Sequence, residues 1–310
     1  MKKNILLFML FIVIFSGCSK FQDLKKDLSM SLYSQEDSNN EDKDKKILTR
    51  YQKNFNLHSI DNLTSEKLSK QKGQLGLWLP YKFINEIGGG VYILNKYDQS
   101  KIPIVFIHGA GGNAVEWNDI MQNVDKKKFQ PIFISYPSGI KLDYTVNIIT
   151  QKINAIVNKY GVKNMTIVAH SMGGLVAKSV IKNLNQNQYV VNKFITLSTP
   201  WQGHLGASNT KELPYYIPSW LDMQPNSIFI NSIKDKAILK NVEHYLFFGF
   251  QGKLTLYGRD NDGTISLESQ LSEYAQNSAT KMFGFNETHT SILSSEKVIE
   301  KINIILKDKL

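Results

Sequence analysis

Met165-Thr166-Ile167-Val168-Ala169-His170-Ser171-Met172-Gly173-Gly174-Leu175-Val176-Ala177 is the stretch on which the fold turns. Met165–Ala169, apolar save for Thr166, reads as a strand buried on both faces of a sheet. The residues from Met172 to Asn187 have the length and composition of a helix. Between them a serine stands on a sharp turn, flanked two positions away on either side by Ala169 and Gly173. The demand is steric: a strand turns directly into a helix around Ser171 only where neighbouring backbone passes closely, so the flanking residues must be small. The same turn puts Ser171 at the start of a helix, where unpaired amides and the positive end of the dipole favour negative charge. Ser171 is therefore a candidate nucleophile.

Working outward, Val91–Leu94, Ile102–Ile107, Phe129–Ile134, Phe194–Leu197 and Tyr245–Phe248 are further short, largely apolar runs. They alternate with segments of helix length: Asn113–Val124, Leu142–Tyr160, Met172–Asn187 and Gln224–Leu239. Within Leu142–Tyr160 the residues Val146, Ile149, Ile153, Ile156, Val157 and Tyr160 recur at helical spacing and form one apolar stripe. Strand and helix in alternation predict an α/β protein with a mostly parallel sheet and helices on both faces.

A second motif is Pro103-Ile104-Val105-Phe106-Ile107-His108-Gly109-Ala110-Gly111-Gly112-Asn113. A strand that ends in His-Gly and runs into further glycines brings backbone amides close to a ligand without side chains in the way.

Together the two motifs resemble those of the α/β-hydrolase superfamily, with Ala169 in the first glycine position of G-x-S-x-G. The resemblance covers about residues 75–310 and is nearest to bacterial lipases and the related GPI inositol-deacylase-like and lecithin:cholesterol acyltransferase-like proteins. Leu197-Ser198-Thr199-Pro200-Trp201-Gln202-Gly203 is similar to their Thr-Pro-x-x-Gly turn at a strand end. Pro218-Ser219-Trp220-Leu221-Asp222-Met223-Gln224-Pro225-Asn226-Ser227-Ile228-Phe229 is similar to their Pro-x-Ser-x-Phe helix start.

The resemblance implies Ser171 as nucleophile, followed along the chain by an acid and then a histidine. Of six histidines, His58 precedes the core, His108 and His170 lie inside the two motifs, His204 comes too early and His244 begins a strand. His289, between a short apolar stretch and the last helix, is left as the base. For the acid, Asp262 in Asp262-Gly263-Thr264-Ile265 has the form common in the family, with Asp260 as the alternative. The amides of Met172 and, as in lipases with His-Gly-x-Gly, Ala110 are the implied oxyanion hole. Residues 201–223 fall after the sixth strand, where this fold often carries a lid. Trp201, Leu205, Leu213, Tyr215, Tyr216, Ile217, Trp220 and Leu221 make that insertion apolar, suited either to an acyl chain or to packing on the core. The implied chemistry needs no metal or organic cofactor.

The N-terminus carries a different signal. Met1-Lys2-Lys3 is followed by the uninterrupted apolar run Ile5–Phe15 and then Ser16-Gly17-Cys18. The run fits a signal h-region and is too short to span a bilayer. With small residues before the chain's single cysteine, the segment resembles a bacterial lipobox, although Phe15 stands where leucine is usual. The expected organisation is a signal peptide over 1–17, a lipidated Cys18 with a polar tether over 18–72, and a catalytic domain over 73–310. The tether reading rests on thirteen residues without an apolar side chain, Ser34–Lys46.

Composition narrows the function classes. The 310 residues are 42% hydrophobic and 11% aromatic, enough for a packed core. One cysteine rules out an intrachain disulfide and a cysteine-based zinc site. The formal charge of +10 is spread along the chain with no nucleic-acid-binding motif, so it reads as a basic surface compatible with anionic membranes. The expectation is a monomeric, exported, lipid-anchored protein at the cell membrane or surface that acts on small or lipid esters and binds no nucleic acid. Two other classes compete: an acyltransferase using the same acyl-enzyme, and a non-catalytic binding lipoprotein on a hydrolase scaffold.

Overall fold

The computed structural model describes residues 33–34, 41–185, 190–210, 215–252 and 260–308. The signal peptide, Cys18 and Leu213 of the insertion lie outside the described residues. Eight strands form the main sheet: β1 (Asn56–Ile60), β2 (Gly90–Leu94), β3 (Ile102–Ile107), β4 (Phe129–Ser135), β5 (Met165–His170), β6 (Val191–Leu197), β7 (Glu243–Gly249) and β8 (Lys281–Phe285). Their order across the sheet is β1-β2-β4-β3-β5-β6-β7-β8. Strands β3 to β8 are parallel, β2 runs antiparallel to β4, and β1 pairs parallel with β2. The helices used below are α1 (Glu41–Asn54), α2 (Lys70–Trp78), α3 (Pro80–Glu86), α4 (Asn118–Asn123), α5 (Leu142–Tyr160), α6 (Met172–Asn185), α7 (Pro218–Asp222), α8 (Ile228–Ser232), α9 (Leu267–Gln270), α10 (Glu273–Ser278) and α11 (Glu296–Lys307).

The period of two along each strand divides the interior into two cores. Val91, Ile93, Val105, Ile107, Ile132, Ile134, Ile167 and Ala169 join the stripes of α5 and α6. The alternate residues Tyr92, Leu94, Ile104, Phe106, Phe133 and Val168 pack with α4 and α11 on the other face. Helices thus cover both faces, which is why the central strands read as continuous apolar runs. Gly161 ends α5 at φ +62°, a left-handed cap that a glycine adopts without a Cβ penalty.

Three sequence expectations need correction. The domain begins by residue 41, not 73. Helix α1 buries Tyr51, and Phe55, Leu63 and Leu68 follow it into the two cores, while Asn56–Ile60 is the edge strand of the sheet. The charged run at 41–46 is the start of that helix, with Lys45 and Lys46 exposed, so its lack of apolar residues does not mark a linker. The expected helix Gln224–Leu239 is two short pieces, α8 and a 3-10 turn at Lys236–Leu239. Asp235 accepts from the Ala237 amide at 2.8 Å and starts a new turn where a continuous helix would have run through. The segment expected as one helix over Asn113–Val124 is likewise a 3-10 turn at Ala114–Trp117 leading into α4.

The insertion at 201–223 follows β6, as expected. Trp201 and Ile217 are buried in it, Leu205 is exposed, and Trp220 stacks edge-on against Trp78 of α2 at 5.6 Å. The apolar side chains of the segment are therefore divided between the core and the surface. A two-residue antiparallel ladder joins Tyr33–Ser34 to Tyr215–Tyr216.

Candidate active site

Strand β5 passes into α6 through a single residue in a left-handed conformation, Ser171 at φ +53°. A non-glycine residue there costs about 1–3 kcal/mol and persists only where its surroundings hold it. They do: the Ser171 amide donates to the Leu197 carbonyl at 2.8 Å, and its own carbonyl accepts from Gly174 at 2.9 Å. The small neighbours are obligatory. A Cβ on Gly173 would meet the carbonyl oxygens of Ile107 and His108 at 2.4 Å, and one on Gly174 would meet Thr199 Oγ1 at 2.0 Å.

The loop after β8 brings His289 to the serine. Its Nε2 lies 2.9 Å from Ser171 Oγ, and its Nδ1 lies 2.8 Å from Asp262 Oδ2. The His289 amide also donates to the Asp262 carbonyl at 2.8 Å, so ring and backbone are tied to one residue. Asp262 is fully buried, and its second oxygen Oδ1 accepts from the amides of Thr264 and Ile265 at 3.0 and 2.7 Å. Burial by itself raises this carboxyl, but the His289 ring and those amides outweigh it, so its pKa lies below the ordinary value. Asp260, the alternative acid, is exposed, and its carbonyl accepts from the Leu267 amide at 2.9 Å.

The loop after β3 closes the other side. A Cβ on Gly109 would fall 2.8 Å from Ser171 Cβ, so backbone and serine touch with nothing between them. The loop is braced throughout: Gly111 donates to Ser138 Oγ at 2.9 Å, its carbonyl accepts from Gln74 at 3.1 Å, and Gly112 donates to the Gly109 carbonyl at 3.2 Å. Buried His108 has its pKa pushed down to about 4 by burial. Its Nδ1 donates to the Gly109 carbonyl at 2.8 Å, and its Nε2 accepts from the Tyr136 amide at 3.3 Å. Met172 is the first residue of α6, so its amide has no intrahelical acceptor. Ala110 is exposed on the adjoining loop, and its amide makes no hydrogen bond among the described residues.

Ser171, Asp262 and His289 therefore meet at the C-terminal ends of the strands, with Met172 and the Gly109–Ala110 backbone beside them. Two residues were missed as participants. His170 donates from Nε2 to the His289 carbonyl at 2.8 Å, and Glu116 lies behind the Gly109–Asn113 loop with Oε1 3.9 Å from His170 Nδ1. His170 stood in view within the serine motif, and Glu116 stands three residues after the Asn113 N-cap, a capping-box spacing that marks the turn but not the approach to His170.

Residues 133–217 match the family described as PGAP1-like alpha/beta domain. Among solved structures, the chain is similar to the lipase BlEst2 of Bacillus licheniformis. Its mature form is 22% identical with a TM-score of 0.52, covering 68% of this chain and 94% of that one. Its propeptide form gives a TM-score of 0.55 at 22% identity, over 69% of this chain and 52% of that one. Lipase B of Aspergillus fumigatus aligns at 15% identity and a TM-score of 0.50, over 66% and 52%. A comparison with curated proteins returned no match. Strand order, the serine turn after β5 and these likenesses agree: the chain is a protein of the α/β-hydrolase fold.

Proposed function

We propose that the chain is a serine hydrolase of carboxylic esters, with Ser171 as nucleophile, His289 as general base and acid, and Asp262 as the group that orients the imidazole. The observation that carries this is the unbroken chain of short contacts from Ser171 Oγ through His289 to a buried, ionised Asp262, built on a strained turn. Such a turn costs stability, so its retention favours a chemical role over a structural one. The solved structures of this fold cited above include proteins named as lipases, which supports an ester as substrate class.

His289 Nε2 takes the hydroxyl proton as Oγ bonds to the acyl carbon, and Asp262 stabilises the imidazolium that forms. The Met172 and Ala110 amides bind the oxyanion, each contributing about 2.7–4 kcal/mol to the transition state. Collapse of the tetrahedral species breaks the acyl–oxygen bond, and the imidazolium protonates the departing alcohol. Water deprotonated by His289 then attacks the acyl-enzyme and releases the acid and Ser171.

The substrate class extends to lipid and other acyl esters. The apolar surface around Leu205 and the half-buried Trp220 on the insertion after β6 supports that extension. Anchoring through a diacylated Cys18, in an exported protein at a membrane surface, belongs to the same proposal and is supported by the N-terminal sequence. A p-nitrophenyl ester series from short to long acyl chains, run on the wild type and Ser171→Ala, tests the reading. Turnover by the wild type that vanishes in the variant supports it; equal turnover by both, or none by either across the series, rejects it.

A further inference from the structure

Glu116 is a carboxylate in an unusual place. It lies in the 3-10 turn behind the Gly109–Asn113 loop, so close that a Cβ on Gly112 would meet its Oε2 at 2.3 Å. The amides of Gly109 and Asn113 face its carboxyl. Its other oxygen, Oε1, is buried, has no hydrogen-bond partner among the described residues and points at His170 Nδ1, 3.9 Å away. His170 in turn donates from Nε2 to the backbone carbonyl of His289, and its ring lies 4.8 Å from the His289 ring, centroid to centroid. A carbonyl oxygen only accepts, so Nε2 carries the proton of the neutral imidazole and Nδ1 presents a lone pair toward Glu116.

We propose that Glu116 and His170 are positioning residues, forming a strut that ties the Gly109–Asn113 loop to the loop bearing His289. The strut holds the proposed oxyanion donor and the base at one separation across Ser171, the precision that catalysis of this type requires. It deepens the reading of Ser171 and His289 given above and rests on it for its catalytic consequence.

The protonation states fit this arrangement. Burial, and then the neighbouring His289, push the His170 pKa down to about 3, so the ring is neutral. Burial pushes the Glu116 pKa up to about 8, opposed by the Gly109 and Asn113 amides and the charge of Lys70 on α2. The other titratable groups that face it are His170 at the end of β5 and Tyr136 after β4. Below about pH 8 Glu116 carries a proton, and an O–H donor faces the bare Nδ1. Above it an anion faces a lone pair, and the strut loosens.

The experiment compares wild type, Glu116→Ala and Glu116→Gln. Its readouts are kcat and KM for a p-nitrophenyl ester across the neutral to alkaline range, and amide hydrogen exchange over residues 108–117. Glu116→Ala is expected to lower kcat by about tenfold or more with KM little changed. Its Gly109–Asn113 segment should exchange faster, while residues 165–185 exchange as in wild type. Glu116→Gln, which keeps a donor and cannot ionise, should restore kcat to within about threefold of wild type and lack the wild-type decline in kcat near pH 8. Wild-type kcat and exchange in Glu116→Ala, or an unaltered alkaline decline in Glu116→Gln, overturns the strut. If Glu116→Ala does not fold, the pH profile of Glu116→Gln decides. If the wild type hydrolyses no ester, the functional reading fails, and exchange at Gly109–Asn113 alone upholds or overturns the strut.

Discussion

Nε2 of His289 stands 2.9 Å from Oγ of Ser171, although 118 positions separate them in the chain. Neither residue lies within a regular element. The parallel sheet brings the ends of β5 and β8 to the same edge, and the acid loop after β7 reaches His289 from beneath. The arrangement follows from topology, and each of its supports is open to a separate test.

Asp262 accepts from the ring, from two amides of its own turn, and is wholly buried. Asp262→Asn keeps the shape but removes the charge that stabilises the imidazolium and selects its tautomer. Activity on an ester should fall by about 10³–10⁴-fold in kcat, with a small change in KM. A loss below about tenfold would return Asp262 to a structural role.

Gly173 has no room for a methyl group, because the atoms it would strike are the carbonyl oxygens of Ile107 and His108 at the end of β3. Backbone inside a parallel sheet cannot step aside cheaply. Gly173→Ala should lower stability by about 1–3 kcal/mol and abolish turnover together, since the displaced backbone belongs to the proposed oxyanion loop. Denaturant unfolding and ester turnover check it; a variant with wild-type values for both contradicts the packing.

Lys178 on α6 is fully buried, and its ammonium lies over the rings of Tyr274 and Trp201 at 5.0 and 5.7 Å with no hydrogen-bond partner among the described residues. Burial pushes its pKa down to about 8, with the charge of Asp235 opposing. The folded state therefore holds this proton less tightly than the unfolded chain. The penalty is complete below about pH 8 and is relieved as pH rises toward the unfolded value near 10.4. Lys178→Met should be neutral or stabilising at pH 7, by up to about 3 kcal/mol, with an advantage that shrinks between about pH 8 and 10. Urea unfolding across that range measures it, and an advantage that grows with pH contradicts the assignment.

Residues 41–72 contribute Tyr51, Phe55, Leu63 and Leu68 to the cores. At about 1.5–3 kcal/mol for each buried side chain, their removal costs roughly 6–12 kcal/mol, comparable with the whole stability of a typical domain. A chain starting at residue 73 should be insoluble or lack a cooperative thermal transition, whereas one starting at residue 41 melts as the full chain does. A soluble, cooperative product from residue 73 would restore the tether reading.

What was legible in the sequence was the part built from long-run physical constraints. Central strands covered on both faces must be apolar throughout, and a serine on a strand-to-helix turn needs Ala169 and Gly173 beside it. These signals located β2 to β7, α5, α6 and Ser171, whereas His289 and Asp262 came from what the resemblance to α/β-hydrolases implies about the order of acid and histidine along the chain. The edges were harder to read. Asn56–Ile60 and Lys281–Phe285 are half-exposed edge strands with polar residues, so neither showed the run that marks a central one. Helix α1 opens with Glu41-Asp42-Lys43-Asp44-Lys45-Lys46, a run indistinguishable by composition from a linker. Glu116 follows Asn113 at capping-box spacing, but its approach to His170, 54 positions away, is a contact that no local pattern encodes.

The most direct test is labelling with a fluorophosphonate, which phosphonylates a serine only when that serine is activated by a neighbouring base. The native protein should gain one adduct, located by mass spectrometry on Ser171, and His289→Ala should remain folded but unlabelled. A folded native protein that stays unlabelled, or an adduct elsewhere that persists in Ser171→Ala, contradicts the account.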